Sequence, residues 1–238
     1  MQTKAIQLKQ TSKILGQAKK EGRHALLEPE AKVICQEYGI PVTKFKVAHN
    51  EAEAANCAQE IGYPVVMKIV SPDIIHKSDA GGVIVNLKTA TDVKAAYSKI
   101  LQNVKNYNAN AKIVGILVQE MAPPSTETIV GAIKDPQFGP TIMFGLGGIF
   151  VELLKDVNFR VAPITAEDAK EMITQLKAYP LLKGFRNSPP ADIDALVGIL
   201  CATSKLVTEN PDIKELDLNP VLAYQTGAKT VDARIILE

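Results

Sequence analysis

Tryptophan is missing from the chain, and its 238 residues include only six tyrosines and six phenylalanines. So few rings leave no stacking platform for nucleic-acid bases. An excess of one charge is missing as well: 27 Lys and Arg stand against 26 Asp and Glu, a net charge of +1. That balance supplies no field for a polyanion or an anionic bilayer, so neither a nucleic-acid nor a membrane partner is expected. The three cysteines, Cys35, Cys57 and Cys201, lie far apart with no CxxC pair. An odd, scattered set argues against a disulfide framework or structural zinc and fits a reducing compartment. Long apolar runs are absent too. The start, MQTKAIQLKQTSKILGQAKK, breaks up its apolar residues with lysine and glutamine, unlike a signal peptide, and no later run reaches membrane-spanning length. A cytoplasmic protein is expected.

Familiar nucleotide and hydrolase signatures are also missing. There is no GxxxxGK(S/T), HExxH or GxSxG, and GLGGIF (145–150) lacks the third glycine of a dinucleotide fingerprint. What the chain has is an ordinary globular composition, 46% apolar and 22% charged, with enough length for two lobes and a sizeable core.

The elements alternate irregularly. Residues 1–20 read as a basic, weakly amphipathic helix, and Glu28-Pro29-Glu30 opens a second helix that Gly39 caps. A strand at 41–47, a helix stopped by Gly62, the apolar strand VVMKIV (65–70) and the returning strand VIVNLK (83–88) follow. Then come a helix over 91–107 and a strand over 112–121. The order predicts small mixed-sheet units, not a doubly wound sheet. Pro123-Pro124 marks a break. Beyond it, strands are predicted at TETIVGAIK and TIMFGLGG, helices at 165–179 and 193–210, and two closing strands at IKELDLNPVLAY and KTVDARIIL.

Four places carry chemistry. His76, one of three histidines, precedes Asp79-Ala80-Gly81-Gly82, a turn whose free N–H groups would suit phosphate oxygens; the imidazole could accept a phosphoryl group, ligate a metal or fill space. Lys68, within VVMKIV, is expensive to bury without an anion to meet it. Either it lies at an edge with the ammonium in water, or the ammonium is directed at phosphate just ahead of the Gly81-Gly82 turn. Glu215, Asp217 and Asn219 alternate in ELDLNP and face one side of a strand; with Asp232 they offer hard oxygen ligands of the kind Mg2+ takes, or simply a solvated face. Glu152, Asp156 and Arg160 fall four apart after Gly147-Gly148, so on a helix they share a face. They read either as a surface ion-pair stripe or, with the glycines, as a loop over phosphate. His24 and His49 read as solvated residues and the cysteines as small core residues.

SPDIIHKSDAGGV (71–83), DPQFGPTIMFGLGGIFVELLKDVNFRVAPI (135–164) and KELDLNPV (214–221) closely resemble the beta subunits of ADP-forming acetate–CoA ligases, also called ADP-forming acetyl-CoA synthetases. The resemblance runs from about Leu27 to the end. It implies an α+β chain of ATP-grasp fold, related to succinyl-CoA synthetase, with nucleotide held between two α+β lobes. Combined with the element order, it divides the chain into an N-terminal helix (1–20), a first lobe with the histidine and glycine loop (21–118), and a hinge with a second lobe (119–238). The implied reaction is acyl-CoA + ADP + phosphate ⇌ acid + CoA + ATP, an acid–thiol ligation run with ATP or ADP and Mg2+.

By the same resemblance His76 relays a phosphoryl group from a histidine of a separate alpha subunit to ADP, and Asp217 orients the imidazole. Lys68, Gly81 and Gly82 meet nucleotide phosphates. Gln119, Glu120 and Met121 meet adenine at the hinge, and Glu127 makes a polar contact beyond it. Asn219 and Asp232 ligate Mg2+; the phosphate loop of Gly147, Gly148, Glu152 and Arg160 remains the expectation from the residues themselves. The alpha subunit carries the CoA-binding and histidine-phosphorylated domains, giving an α2β2 complex. A histidine side chain titrates near about 6.5 in water, so the neutral nucleophile is available in a cell. Two alternatives differ in class: a carboxylate–amine ligase, which needs no histidine in this loop, and a non-catalytic nucleotide-sensing module, in which loss of the histidine is expected.

Overall fold

A computed structural model describes residues 2–148, 155–184 and 189–238. It resolves into a small unit (Leu27–Pro29 and Thr43–Pro123) and a large unit (Met1–Leu26, Glu30–Val42 and Pro124–Glu238). The division falls at 123/124 instead of 118/119, and residues 1–26 and 30–42 go with the large unit.

The small unit is a four-stranded antiparallel sheet in the order β1-β4-β2-β3, formed by β1 (Phe45–Ala48), β2 (Val65–Val70), β3 (Val83–Leu87) and β4 (Gly115–Glu120). Helices α3 (Glu51–Ile61) and α4 (Ala90–Tyr107) pack on it. Each starts where the sequence supplies a cap. The Asn50 side chain accepts from the Glu53 N–H, and Thr89 with Asp92 forms a reciprocal capping box. Gly62, at φ 96°, stops α3. Val65, Met67 and Ile69 of β2 join Ile116 and Val118 of β4 in the core under the helices. Period-2 alternation therefore turns Val66, Lys68 and Val70 to the opposite face.

The large unit is built on a six-stranded sheet in the order β10-β8-β5-β6-β7, with β9 paired to β8. Its strands are β5 (Thr126–Asp135), β6 (Gly139–Leu146), β7 (Val157–Val161), β8 (Ile213–Ala223), β9 (Ala228–Thr230) and β10 (Ala233–Leu237). Helices α5 (Ala166–Thr174) and α7 (Ile193–Glu209) pack on one face, and a short α6 (Tyr179–Leu182) lies between them in sequence. Val130, Ala132, Ile142, Phe144, Leu216, Leu218 and Ile235 point into that core. Helices α1 (Gln2–Lys20) and α2 (Glu28–Glu37) precede the sheets in sequence; Leu15 and Ala18 of α1 are buried in the same core.

Three expectations change. Every ladder between named strands is antiparallel, so the sheets are not mixed; the crossovers through α3 and α4 each pass over one intervening strand, which pairs antiparallel with both of its neighbours. Residues 157–161 form β7, because Asn158 and Arg160 alternate with Val157, Phe159 and Val161 on an edge strand paired to β6. KTVDARIIL is two strands, broken at Val231 and Asp232. Among the described residues no helix is long and apolar enough to cross a membrane.

Candidate functional site

In the small unit His76 sits on the loop between β2 and β3, exposed, its ring making no hydrogen bond among the described residues. The following turn closes on the chain around it. Ala80 N–H donates to the His76 carbonyl at 3.3 Å, Gly81 N–H to Ser78 at 3.0 Å and Gly82 N–H to Lys77 at 2.7 Å. The glycine N–H groups are therefore engaged within the turn. The glycines are needed for another reason. Gly81 has φ +60°, and a Cβ there would lie 2.7 Å from the Asn103 amide nitrogen, which donates to the Gly81 carbonyl at 2.8 Å. A Cβ on Gly82 would stand 2.6 Å from Ile69 Cγ2. Close packing against β2 and α4 excludes a side chain at either position.

Lys68 is buried at 6% exposure and meets an anion inside the protein. Its Nζ donates to Glu28 Oε1 at 2.8 Å, while Lys77 Nζ donates to Glu28 Oε2 at 2.6 Å. One buried carboxylate thus holds two ammonium groups. Sequence reading treats Glu28 only as a helix start. Forty residues separate it from Lys68, and no local spacing announces the contact. Gln119, buried, pairs with Val66 across β4 and β2 and so shares a sheet face with Lys68. Glu120 N–H donates to the Lys44 carbonyl and Met121 N–H to Pro64. Any backbone contact with an amino group on adenine there falls to carbonyl oxygens.

In the large unit, the sheet face opposite α5 and α7 holds a cavity of about 330 Å³. Asp217, Asn219, Glu215, Arg234, Met143 and Phe159 are among its lining residues. Sheet register produces this grouping: Arg234 of β10 pairs with Asp217 of β8, Asp217 with Gly131 of β5, Gly131 with Met143, and Met143 with Phe159 of β7. Gly131 keeps the centre of that row low. Burial pushes the Asp217 carboxyl above the usual carboxylate range; Arg234 opposes this, and Asp232 and Glu215 add to it. The N–H of Asn219 donates to the Asp232 carbonyl at 3.3 Å, which sets the two proposed oxygen donors side by side. Among the described residues no group of three or more His, Cys, Asp or Glu is arranged to hold a metal. An amide and a carboxylate fit Mg2+ that keeps waters and phosphate oxygens for its other positions. Arg234, Met143 and Phe159 escaped sequence reading, because only the strand order brings them to one row.

Glu127, exposed on β5, accepts the Gly147 N–H at its carbonyl at 2.8 Å; a Cβ on Gly147 would sit 2.9 Å from Glu127 Cβ. Gly148 has φ +63°. The strand and the two glycines expected in a phosphate loop are thus joined, whereas Glu152 lies outside the described residues. Asp156 and Arg160 share no helix, since Arg160 lies on β7. Asp156, buried, accepts the Lys177 and Ala178 N–H groups at 3.0 and 2.8 Å and pins the segment after α5. Arg160 extends from β7 to Gln175 at 2.8 Å and Glu171 at 3.7 Å. Both residues are engaged in holding α5 to the sheet.

The pattern of the ATP-grasp domain family matches residues 17–237. The acetate–CoA ligase [ADP-forming] I subunit beta of Pyrococcus furiosus is 57% identical over 224 residues, covering 94% of this chain and 96% of that one. Acetyl-coenzyme A synthetase 1 of Ca. Korarchaeum cryptofilum, solved with coenzyme A and Ca-AMPCP, superposes with a TM-score of 0.93 at 56% identity, covering 95% of this chain and 99% of that chain. A second structure of that enzyme holds coenzyme A and Mg-AMPPCP, with a phosphohistidine segment pointing towards the nucleotide binding site. It gives a TM-score of 0.86 at 51% identity over 96% of this chain and 100% of that one. With the antiparallel sheets and the open, carboxylate-lined face already described, these likenesses place the chain plainly: it belongs to the ATP-grasp family and, within it, to the beta subunits of the ADP-forming acetate–CoA ligases.

Proposed function

We propose that this chain is the nucleotide-handling beta subunit of an ADP-forming acetyl-CoA synthetase and that His76 relays the phosphoryl group to ADP. The observation that carries the reading is the presence of His76 in the motif of that family on an exposed loop whose own backbone closes the turn behind it, so that the imidazole is presented outward. A carboxylate–amine ligase has no use for that histidine, and a sensing module has none for its exposure.

The reaction balances as follows. On an alpha subunit, phosphate displaces CoA from the acyl group, and a histidine there takes the phosphoryl group and releases the acid. A ring nitrogen of His76 bonds to phosphorus as the nitrogen–phosphorus bond on the alpha subunit breaks. A terminal oxygen of ADP then forms the new phosphorus–oxygen bond as the His76 nitrogen leaves, giving ATP and free imidazole. Such transfers depend on in-line positioning and charge stabilisation. Lys68 contributes positive charge for the phosphates, and Gln119, Glu120 and Met121 the adenine contacts. Glu127, Gly147 and Gly148 border the phosphate loop. Asp217 orients the imidazole. Asn219 and Asp232 would hold Mg2+, which when bound neutralises charge on the phosphate oxygens. An α2β2 assembly follows the family pattern, and the free thiols of Cys35, Cys57 and Cys201 support a reducing, cytoplasmic setting.

The test is chemical. After exposure to γ-labelled MgATP, the chain should carry phosphate that is acid-labile and base-stable, unlike phosphoserine at Ser78. His76→Asn should abolish the label and ATP formation. Asp217→Asn should slow transfer less than His76→Asn does, because it spares the attacking nitrogen. Wild-type turnover by His76→Asn would return His76 to a structural role.

A further inference from the structure

We propose that Glu28 is a positioning residue of the phosphoryl relay, holding the His76 loop in place through Lys77 and tying it to β2 through Lys68. The inference rests on the reading of His76 as the relay. Its ground is the buried carboxylate already described, 6% exposed, with Lys68 Nζ at 2.8 Å on one oxygen and Lys77 Nζ at 2.6 Å on the other. Lys68 belongs to a strand that is buried at every position, a fixed frame. Lys77 is the residue next to His76, and its carbonyl receives the Gly82 N–H that closes the turn. Side-chain hydrogen bonds also reach this loop near its ends, at Asp73 with the Lys112 N–H (2.6 Å) and at Gly81 with Asn103 (2.8 Å). Glu28 therefore acts at the middle, beside the nucleophile.

The second ion pair points to a role beyond packing. Burying ions is costly, and an apolar substitute of similar volume commonly serves stability as well. The second ammonium comes from a loop residue at 23% side-chain exposure. It places a cation and a rigid peptide unit one residue from a ring that must bear a dianionic group. Misplacing a reacting group by roughly 1 Å costs on the order of 100-fold in rate.

The test uses the full chain assembled with its alpha subunit. Labelling of His76 by γ-labelled MgATP is followed in quenched samples, with the chains separated under alkaline denaturing conditions. Glu28→Gln and Lys77→Met should each slow labelling by roughly 10- to 100-fold, and Lys77→Met, which leaves the Glu28–Lys68 bond in place, should shift the half-saturating nucleotide concentration by less than about threefold. The double variant should be no slower than the worse single one, since both cut one linkage. Glu28→Asp, which keeps the charge, should recover part of the rate. Amide exchange at Gly81 and Gly82 should quicken in both single variants. If Glu28→Gln does not fold, Lys77→Met decides alone, because it leaves the Glu28–Lys68 bond intact. Wild-type labelling and exchange in a folded Lys77→Met would overturn the proposal. His76→Asn run in parallel separates the failures: undiminished label there sinks the relay itself, while loss of label with a normal Lys77→Met sinks only the tether.

Discussion

His76 and its glycines show how single residues divide the work. The imidazole is exposed, whereas Gly82 is buried with no room for a methyl group. Gly82→Ala should therefore destabilise the small unit by about 1–3 kcal/mol, the usual cost of forcing extra volume into a packed place. Urea unfolding would read the loss. An unchanged midpoint would mean that the loop gives way more easily than Ile69 and the Lys77 carbonyl suggest. Cys35 offers a contrast. Burial pushes its thiol up to about 12, with Lys32 pulling the other way, so at pH 8 almost none of it is thiolate. A thiol reagent added to native protein at pH 8 should modify Cys57 and Cys201, which are half-buried, well before Cys35. Equal rates for all three would show that the α2 region opens easily.

Among the elements, α7 has a start that does two jobs. Asp192 accepts the Ala195 N–H at 3.0 Å, capping the helix, and the Gly227 N–H at 2.7 Å, holding the turn between β8 and β9. These donors, Gly227 first, hold its carboxyl below the usual carboxylate range. The unfolded value is about 3.9, so the stabilisation is complete above that pH and is lost as pH falls through the lower folded value. Asp192→Ala should lower the melting temperature at pH 7, and the gap from wild type should narrow steadily below about pH 3.9. A gap independent of pH would assign the cap to geometry without charge. Strand β8 works at the same scale. Its alternation sends Leu216 and Leu218 into the core and Glu215, Asp217 and Asn219 onto the open face, so one strand secures the sheet and lines the cavity.

At the level of the whole molecule, the proposed division of labour gives this chain the nucleotide and metal contacts and an alpha subunit the acyl chemistry. The isolated chain should show essentially no CoA-dependent ATP formation, and adding the alpha subunit should restore it; full turnover by the chain alone would remove the need for a partner. Asp232→Ala should raise the Mg2+ concentration needed for half-maximal rate and slow turnover by a few kcal/mol of barrier. Intact far-UV circular dichroism would show that the fold persists, and an unaltered Mg2+ dependence would take Asp232 out of the metal site.

The amino-acid sequence by itself determined the motifs and most of the elements, because capping residues, glycine stops and apolar alternation are local signals. Thr89 with Asp92, Thr165 with Asp168 and Gly62 end or begin helices where they stand in the chain. His76, Lys68 and the ELDLNP face were also readable there. Tertiary structure alone decided the partners. Glu28 reaches Lys68 across forty residues, and Arg234, Asp217, Gly131, Met143 and Phe159 become one row only through the register of five strands. It also decided that residues 157–161 are a strand, since an edge of β6 was there to pair with, and that the N–H groups of Gly81 and Gly82 serve the loop. Local spacing carries the propensity of each segment, but a hydrogen bond or an ion pair between distant residues depends on which segments the core brings together.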